Sequence, residues 1–326
     1  MASASKFRRM LLGLCAAMAA AQAVHAAGPD DWPNKPIHWI IPFAAGGAND
    51  LMGRVAAEGI AKALHQQVIV ENKPGAGTML GTAFVAKAAP DGYTFLVSSA
   101  GVVSNSLIRQ SVPYKDSDLV PVAMIALAPS VVIVPASAPY NNLKEFVASS
   151  KTGKGLHFAT AGTGSTPHFV EGLLVTRYGA NLDVVPYKSG AESITAVLGG
   201  QVEATSEASI VVLPFIKSGK LKALADTWTQ HISAYPQLST AVEQGFPEIR
   251  IAHWAGVHAP SGTPPAILDK LAAAVDASMK DAAVAERLKA LGIEPIGGTR
   301  ASFAKFIDEE RARLGGVVKE TNMKAD

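Results

Sequence analysis

The chain has 326 residues, of which 48% are hydrophobic, so it is long enough to form two domains with apolar cores. Its 29 lysines and arginines nearly balance 27 aspartates and glutamates, and the formal net charge is only +2. Such a balance provides no strong field that would attract nucleic acid or an anionic membrane. The composition indicates a folded globular protein and argues against one that binds polyanions.

Residues 1–26 have the three parts of a secretory signal peptide. The basic segment "KFRR" precedes the apolar segment "MLLGLCAAMAAAQAV", and the small residues of "VHAA" predict cleavage after Ala26. A membrane anchor is the alternative, but the strongly apolar part is shorter than the roughly 20 residues that a spanning helix needs. We therefore expect export to the periplasm.

The only cysteine, Cys15, lies within this predicted signal peptide, and Leu14 stands where a lipoprotein signal has a small residue. Lipidation is therefore not expected. The chain that remains after cleavage has no cysteine, so it offers no disulfide, no thiolate nucleophile and no cysteine metal ligand.

Apolar segments of strand type alternate with helical patterns along the rest of the chain. "IHWIIPF" and "QVIVEN" have the pattern of strands, and "LMGRVAAEGIAKAL" between them has apolar residues at helical spacing. The segments "GYTFLVSS", "VVIVPAS", "GLHFATAG" and "LDVVPYK" continue the series of strands. This alternation predicts an α/β fold with largely parallel sheets.

The last third of the chain is predicted to be mostly helical. Thr263 is expected to cap one helix, with Pro264 at its first helical position. Asp281 is expected to cap the next helix, and Thr299 the last.

Two glycine-bearing loops each follow a predicted strand and precede a predicted helix. The first is "IPFAAGGAND", residues 41–50, and the second is "ATAGTGSTPHF", residues 159–169. Unpaired N–H groups and the helix dipole make such helix starts attractive to anions. The alternative for a single loop is a tight turn with a helix cap, but two such loops, one in each half, predict a cleft.

Motifs for catalysis are weak. "GTGST" is not a G-x-S-x-G elbow, and the sequence contains neither a phosphate-binding loop of the Walker type nor an H-E-x-x-H site. Ser165 and His168 lie three residues apart without an evident orienting acid, so an exported hydrolase that uses them is the alternative function. The remaining histidines are scattered, and we expect neither a metal nor a cofactor.

The segment from "WPNKPIHWIIPFAAGGAND" to "PDGYTFL" resembles the substrate-binding proteins of tripartite tricarboxylate transporters, the Bug-type receptors. The blocks "TAGTGSTPH", "APSGTPPAILDKL" and "RLKALGIEPIGGT" extend the resemblance over essentially all of the chain after the signal peptide. It implies a type II periplasmic-binding-protein fold, in which two α/β domains joined by two crossing hinge segments enclose a ligand cleft. Domain 1 would comprise residues 27–125 and 250–326, and domain 2 residues 126–249.

The resemblance also implies a function. The protein would be a monomeric periplasmic receptor, not an enzyme, that captures a small mono- or dicarboxylic acid, closes by hinge motion and delivers its ligand to the membrane subunits of a transporter. The positions that match the family's binding loops are Phe43, Ala44, Ala48, Asn49, Ser98, Ser99, Thr160, Ala161, Gly162, Gly164, Ser165 and His168.

Two departures from the common family pattern leave the ligand open. The first loop reads "FAAGGAND" where many members have "FPPGGATD", and we expect Asp50 in it to cap its helix. In "TSEAS", Glu207 stands where many relatives have an aspartate or asparagine near the ligand. Because two carboxylates repel, Glu207 either meets a donor group on the ligand or points to water at the rim.

Overall fold

The structure, a computed structural model, describes residues 31–325, so the predicted signal peptide and its cleavage site lie outside the described residues. Within residues 31–325 no helix is both long and apolar enough to cross a membrane. The strands of this part of the chain are β1 (Ile37–Ile41), β2 (Val68–Asn72), β3 (Thr94–Ser98), β4 (Leu119–Pro135), β5 (Leu156–Thr160), β6 (Leu182–Pro186), β7 (Ala204–Ala208), β8 (Leu221–Asp226), β9 (Ala252–Pro260) and β10 (Glu294–Pro295).

Helices connect most of these strands. They are α1 (Ala48–Leu64), α2 (Met79–Ala86), α3 (Gly101–Ile108), α4 (Leu143–Ser150), α5 (Thr166–Tyr178), α6 (Gly190–Leu198), α7 (Ser209–Lys217), α8 (Pro265–Lys280), α9 (Ala282–Ala290) and α10 (Arg300–Thr321).

Each half of the molecule contains three parallel strands. In the first half β1 lies between β2 and β3, and in the second half β5 lies between β6 and β7. Ile37, Trp39 and Ile40 of β1 are fully buried, as expected for a central parallel strand that is covered by helices on both faces. Because parallel strands end at the same edge, the loops that follow them meet there.

The antiparallel strands β4 and β9 join the two halves. Residues 119–129 of β4 pair with β9, while residues 130–135 pair with β7 and β8. The prediction of largely parallel sheets is therefore right within each half and wrong at the crossing, and "VVIVPAS" is only the end of a 17-residue strand. Residues 122–134 of β4 are buried throughout, so the strand continues from one sheet into the other without an exposed break.

Two of the three helix caps predicted for the last third of the chain are present in the structure. Asp281 accepts a hydrogen bond from the Val284 N–H, and Thr299 accepts one from Ser302, as predicted. Thr263 is not a cap, because its hydroxyl donates to the Pro260 carbonyl at 2.8 Å and the helix begins one residue later than predicted.

The last helix, α10, contacts both halves of the molecule. It packs against α3 of the first half and against α5 of the second. On α5 its neighbour is Gly172, where an added Cβ would lie 2.9 Å from the Thr321 side chain.

Candidate ligand-binding cleft

The loop between β1 and α1 is held by Asp50. One carboxylate oxygen of this residue accepts a hydrogen bond from the Gly46 N–H at 2.9 Å, and the other accepts one from Asn72 Nδ2 at 2.8 Å. Arg54 forms an ion pair with the same carboxylate at 2.9 Å. Burial opposes ionisation, but these hydrogen bonds and the charge of Arg54 outweigh it and lower the pKa of Asp50. Asp50 therefore closes the loop, and Gly47 is the N-cap residue.

Asn49 ties the same loop to the crossing strands. Its side-chain amide is buried and donates to the Trp254 carbonyl of β9 at 2.8 Å. The N–H groups of Gly47, Ala48 and Asn49 have no acceptor among residues 31–325, since they precede the first helical hydrogen bond, donated by Leu51 to the Gly47 carbonyl. Phe43 and Ala48 are half-buried, and Ala44 is exposed.

Ser98 ends β3 and Ser99 follows it, and both are buried with side chains that contact protein groups. Ser98 Oγ lies 2.7 Å from His258 Nδ1, and burial lowers the pKa of His258 to about 3, so this imidazole is neutral. Ser99 Oγ accepts a hydrogen bond from the Gly101 N–H at 3.4 Å. The Ser98 hydroxyl is thus already paired within the first half, a contact that spans 160 residues and has no local signal in the sequence.

In the second half, two hydroxyls of the glycine-bearing loop are buried without a partner among the described residues. Thr160 ends β5 and is fully buried, and its Oγ1 makes no hydrogen bond. Ser165 is the N-cap residue of α5, but its Oγ makes no capping bond and has no other partner. Ala161 and Gly162 lie between these residues and are half-buried.

His168, in the first turn of α5, accepts a hydrogen bond at Nδ1 from the Gly164 N–H at 3.2 Å. Burial lowers the pKa of His168, which favours the neutral ring with its proton on Nε2. No hydrogen bond joins it to the Ser165 hydroxyl. The pair therefore lacks the nucleophile–base contact that the hydrolase alternative requires.

Glu207 lies on β7 and is 5% exposed, so the interpretation that it points to water is wrong. Its carboxyl group packs against Gly190 at the start of α6, where an added Cβ would lie 2.6 Å from Oε2. Glu207 Oε1 has no hydrogen-bond partner among the described residues, and burial raises the pKa of this residue to about 8. Burial therefore favours the protonated form of this carboxyl group at neutral pH, while a backbone hydrogen bond from Ala208 favours the ionised form.

The predicted residues fall into two groups at two sheet edges. Phe43, Ala44, Ala48 and Asn49 lie beside Ser98 and Ser99 at the edge formed by β1 and β3, while the others lie at the edge formed by β5 and β7. The two edges meet at Gly164, where an added Cβ would lie 2.2 Å from Ile108 Cδ1 and 3.9 Å from Ser104 Oγ. Both of these neighbours belong to α3, so the second loop faces the first half.

Two other cavities lie away from these loops. One of about 150 Å³ lies between α3, β4 and α10 and is lined by Tyr114, His258 and Arg311. The other, of about 470 Å³, is a groove between α5 and α10 that includes Arg177 and Arg250. Neither is lined by a predicted binding residue. The described residues also contain no group of three or more histidine, cysteine, aspartate or glutamate side chains that would hold a metal ion.

Comparison with known proteins gives a consistent result. Residues 52–323 match the family described as "Tripartite tricarboxylate transporter family receptor". The chain is 37% identical over 299 residues to protein BugT of Bordetella pertussis, an alignment that covers 90% of this chain and 92% of BugT.

Solved structures are similar over the same region. The periplasmic binding protein BugD has a TM-score of 0.80 and 31% identity, with 90% of this chain and all of BugD covered. R. palustris Rpa4515 with adipate has a TM-score of 0.83 and 28% identity, with 90% of this chain and 99% of that protein covered.

Proposed function

Because this chain belongs to the tripartite tricarboxylate transporter receptor family, we propose that it captures a small organic acid between its two halves and delivers it to membrane subunits of a transporter. Its fold is that of the periplasmic binding proteins, with two α/β halves joined by crossing strands. It is a periplasmic solute-binding receptor and not an enzyme.

The observation that carries the proposal is the set of unpartnered polar atoms at one sheet edge. Thr160 Oγ1, Ser165 Oγ and Glu207 Oε1 are all buried and have no hydrogen-bond partner among residues 31–325. A buried polar group left unsatisfied costs about 1–3 kcal/mol, so several of them at one place favour a site that a ligand fills.

Recognition of a carboxylate would not need a basic side chain here. The free N–H groups of Gly47, Ala48 and Asn49 at the start of α1 offer donors to one carboxylate, with the helix dipole adding to the attraction. Asp50 does not repel this anion strongly, because Arg54 pairs with it. The hydroxyls of Thr160 and Ser165 would bind the other end of the ligand.

A dicarboxylic acid fits this two-ended arrangement. Adipate, the ligand in the structure of Rpa4515, has a carboxylate at each end of a flexible chain. We extend this class of ligand to the present protein, with one carboxylate at the first loop and the other end of the molecule at the second.

Closure would occur about the crossing strands, which connect the halves through continuous backbone. We propose domain 1 as residues 27–125 and 250–326 and domain 2 as residues 126–249, with cleavage of the signal peptide after Ala26. We also propose that the receptor acts as a monomer, because each of the two binding loops comes from the same chain. A ligand that binds both halves stabilises the closed form by its differential affinity.

A thermal-shift screen of residues 27–326 against mono- and dicarboxylic acids tests this proposal. A ligand should raise the melting temperature once its concentration exceeds its dissociation constant, and it should be recovered chemically unchanged. Consumption of the acid would contradict a receptor function. The absence of any stabilising acid would contradict the proposed class of ligand.

A further inference from the structure

One oxygen of the Glu207 carboxyl group, Oε1, has no hydrogen-bond partner within the described part of the chain, although the group also accepts a hydrogen bond from the backbone N–H of Ala208. No ion pair involves it, and Glu207 Oε1 is buried without a hydrogen bond. A buried acceptor of this kind is costly unless a donor arrives from elsewhere.

The hydroxyls on the neighbouring segments have other hydrogen-bond partners. Ser189 Oγ accepts from the Glu192 N–H, and Thr205 Oγ1 donates to the Ala159 carbonyl at 2.8 Å. Ser206 Oγ lies 2.6 Å from the hydroxyl of Ser130, across to β4. None of these hydroxyls donates to Glu207 Oε1, so a ligand can supply the missing donor.

Glu207 lies close to the second binding loop. The residue is next to last on β7, whose end lies at the same sheet edge as the end of β5 and the second loop. Gly190, the first residue of α6, has no side chain and leaves room for the carboxyl group. The first helical turn of α6 is electropositive, so it also tolerates the acid in its ionised form.

We propose that Glu207 accepts a hydrogen bond from a donor group on the ligand, so that the receptor selects carboxylic acids that carry a hydroxyl or ammonium group. This inference rests on the proposed function, because it concerns the same cleft. A site built around an unpaired acceptor rejects analogues that lack the donor much more strongly than a purely apolar pocket does.

Asp226 provides a matched control. It is fully buried on β8, and its Oδ2 also lacks a partner among the described residues. Both acids pair with Val131 of β4, from opposite sides, so their side chains lie on the same face of the sheet. Like Glu207, Asp226 also accepts a backbone hydrogen bond, from the Trp228 N–H. Asp226, however, is separated from Glu207 by two strand spacings, roughly 10 Å, and its strand lies on the far side of β4 from β5 and the second loop.

The test compares dissociation constants, measured by calorimetry on residues 27–326, within two matched sets of acids. The first set is succinate, malate and aspartate, and the second is glutarate, 2-hydroxyglutarate and glutamate. Members of each set differ only in the presence of a hydroxyl or ammonium group. In at least one set we expect a substituted acid to bind at least about tenfold more tightly than its unsubstituted analogue.

Glu207→Gln should reduce this preference to about threefold or less, because the amide replaces one acceptor oxygen by a donor. Asp226→Asn should keep the preference. Unliganded melting temperatures identify a variant that fails to fold, and in that case Glu207→Ala provides the same comparison.

Equal binding of substituted and unsubstituted acids would overturn this inference while leaving the carboxylate receptor intact. So would an unchanged preference in Glu207→Gln, or an equal loss of preference in Asp226→Asn. Failure of all six acids to bind would overturn both this inference and the dicarboxylate class on which it rests.

The pH dependence of ligand affinity distinguishes an ammonium donor on the ligand from a hydroxyl donor. Charged groups on the elements around Glu207 are Lys188 and Glu192 at the start of α6, both exposed, and Asp226 on β8. An ammonium ligand needs the ionised acid, so its affinity should rise as the pH increases toward about 8, where Glu207 loses its proton. A hydroxyl ligand can bind the protonated acid, and its affinity should not rise over this range.

Discussion

The two binding loops differ in how far the protein satisfies their polar groups by itself. In the first half the side chains of Asn49, Asp50 and Ser98 are all paired with protein groups, and the N–H groups of residues 47–49 have no acceptor among the described residues. In the second half the side-chain oxygens of Thr160 and Ser165 are buried and unpaired. The first loop is thus organised by the protein itself, whereas we propose that the ligand completes the second.

The largest effect is expected at the contact between the two halves. Gly164→Ala would place a Cβ 2.2 Å from Ile108 Cδ1, at a residue whose φ is +76°. Left-handed backbone strain costs of order 1–3 kcal/mol, so ligand affinity measured by calorimetry should fall about 10- to 100-fold.

Gly47→Ala is the control for this change. The φ of Gly47 is −79°, and the nearest atom to an added Cβ is the Ala44 carbonyl oxygen at 3.8 Å. The ligand affinity of the Gly47→Ala variant should remain close to that of the wild type. The double change Gly164→Ala with Ile108→Ala should recover part of the loss, because it removes the clash and leaves the strain. Equal losses at Gly164 and Gly47 would contradict the interface described here.

A smaller loss, this time of stability, is expected for Asp50→Asn. The carboxylate accepts charge-assisted hydrogen bonds and pairs with Arg54, so its loss should lower the free energy of unfolding by about 2 kcal/mol in urea titrations at pH 7. Since the pKa of Asp50 is lowered in the fold, its contribution exists above the unfolded pKa and disappears as the pH falls through the folded value. The difference between wild type and variant should therefore shrink in acid, and a constant difference would contradict this role.

Thr160→Val and Ser165→Ala should have the opposite signature. Each removes an unpartnered hydroxyl, so the unliganded protein should keep or slightly increase its melting temperature while affinity falls about 5- to 30-fold. Thr205→Val is the matched control, because the Thr205 hydroxyl already donates to the Ala159 carbonyl. It should lower stability and leave affinity nearly unchanged. If Thr160→Val and Ser165→Ala lose stability but keep their affinity, the ligand does not bind at these hydroxyls.

The smallest effect is expected for Lys188→Ala. This residue follows β6 and is exposed, so its charge is screened by water and salt. Affinity should change less than about twofold at physiological ionic strength. A large, salt-dependent loss would show that a basic side chain contributes to a site that we describe as lacking one.

Local sequence patterns, which involve residues close together in the chain, predicted much of this architecture. Alternating strands and helices, the caps at Asp281 and Thr299, and both glycine-bearing loops follow from local rules, and the structure has them. The local pattern could not reveal that one strand crosses both sheets, because the Pro129–Ser130 step, where the pairing changes, is equally compatible with a turn between two separate strands.

The hydrogen-bond partners of the site residues also could not be predicted from the sequence. Ser98 and His258 are 160 positions apart, and Asn49 and Trp254 are 205 apart, so only the folded chain brings them together. The sequence placed Ser165 at a helix start, where its hydroxyl would ordinarily cap the helix. That the hydroxyl remains unpaired is a matter of side-chain direction, which no pattern of residue types determines.

The crossing strands also have a consequence for the order of folding. The chain leaves the first half through β4, completes the second half, and returns only at β9, which lies between β3 and β4. The second half is therefore one continuous segment, whereas the sheet of the first half must close a loop of more than a hundred residues. Long-range pairings form slowly because loop closure must precede them. We therefore expect the first half, whose binding loop is already held by hydrogen bonds within the protein, to be the last part of the molecule to fold during export.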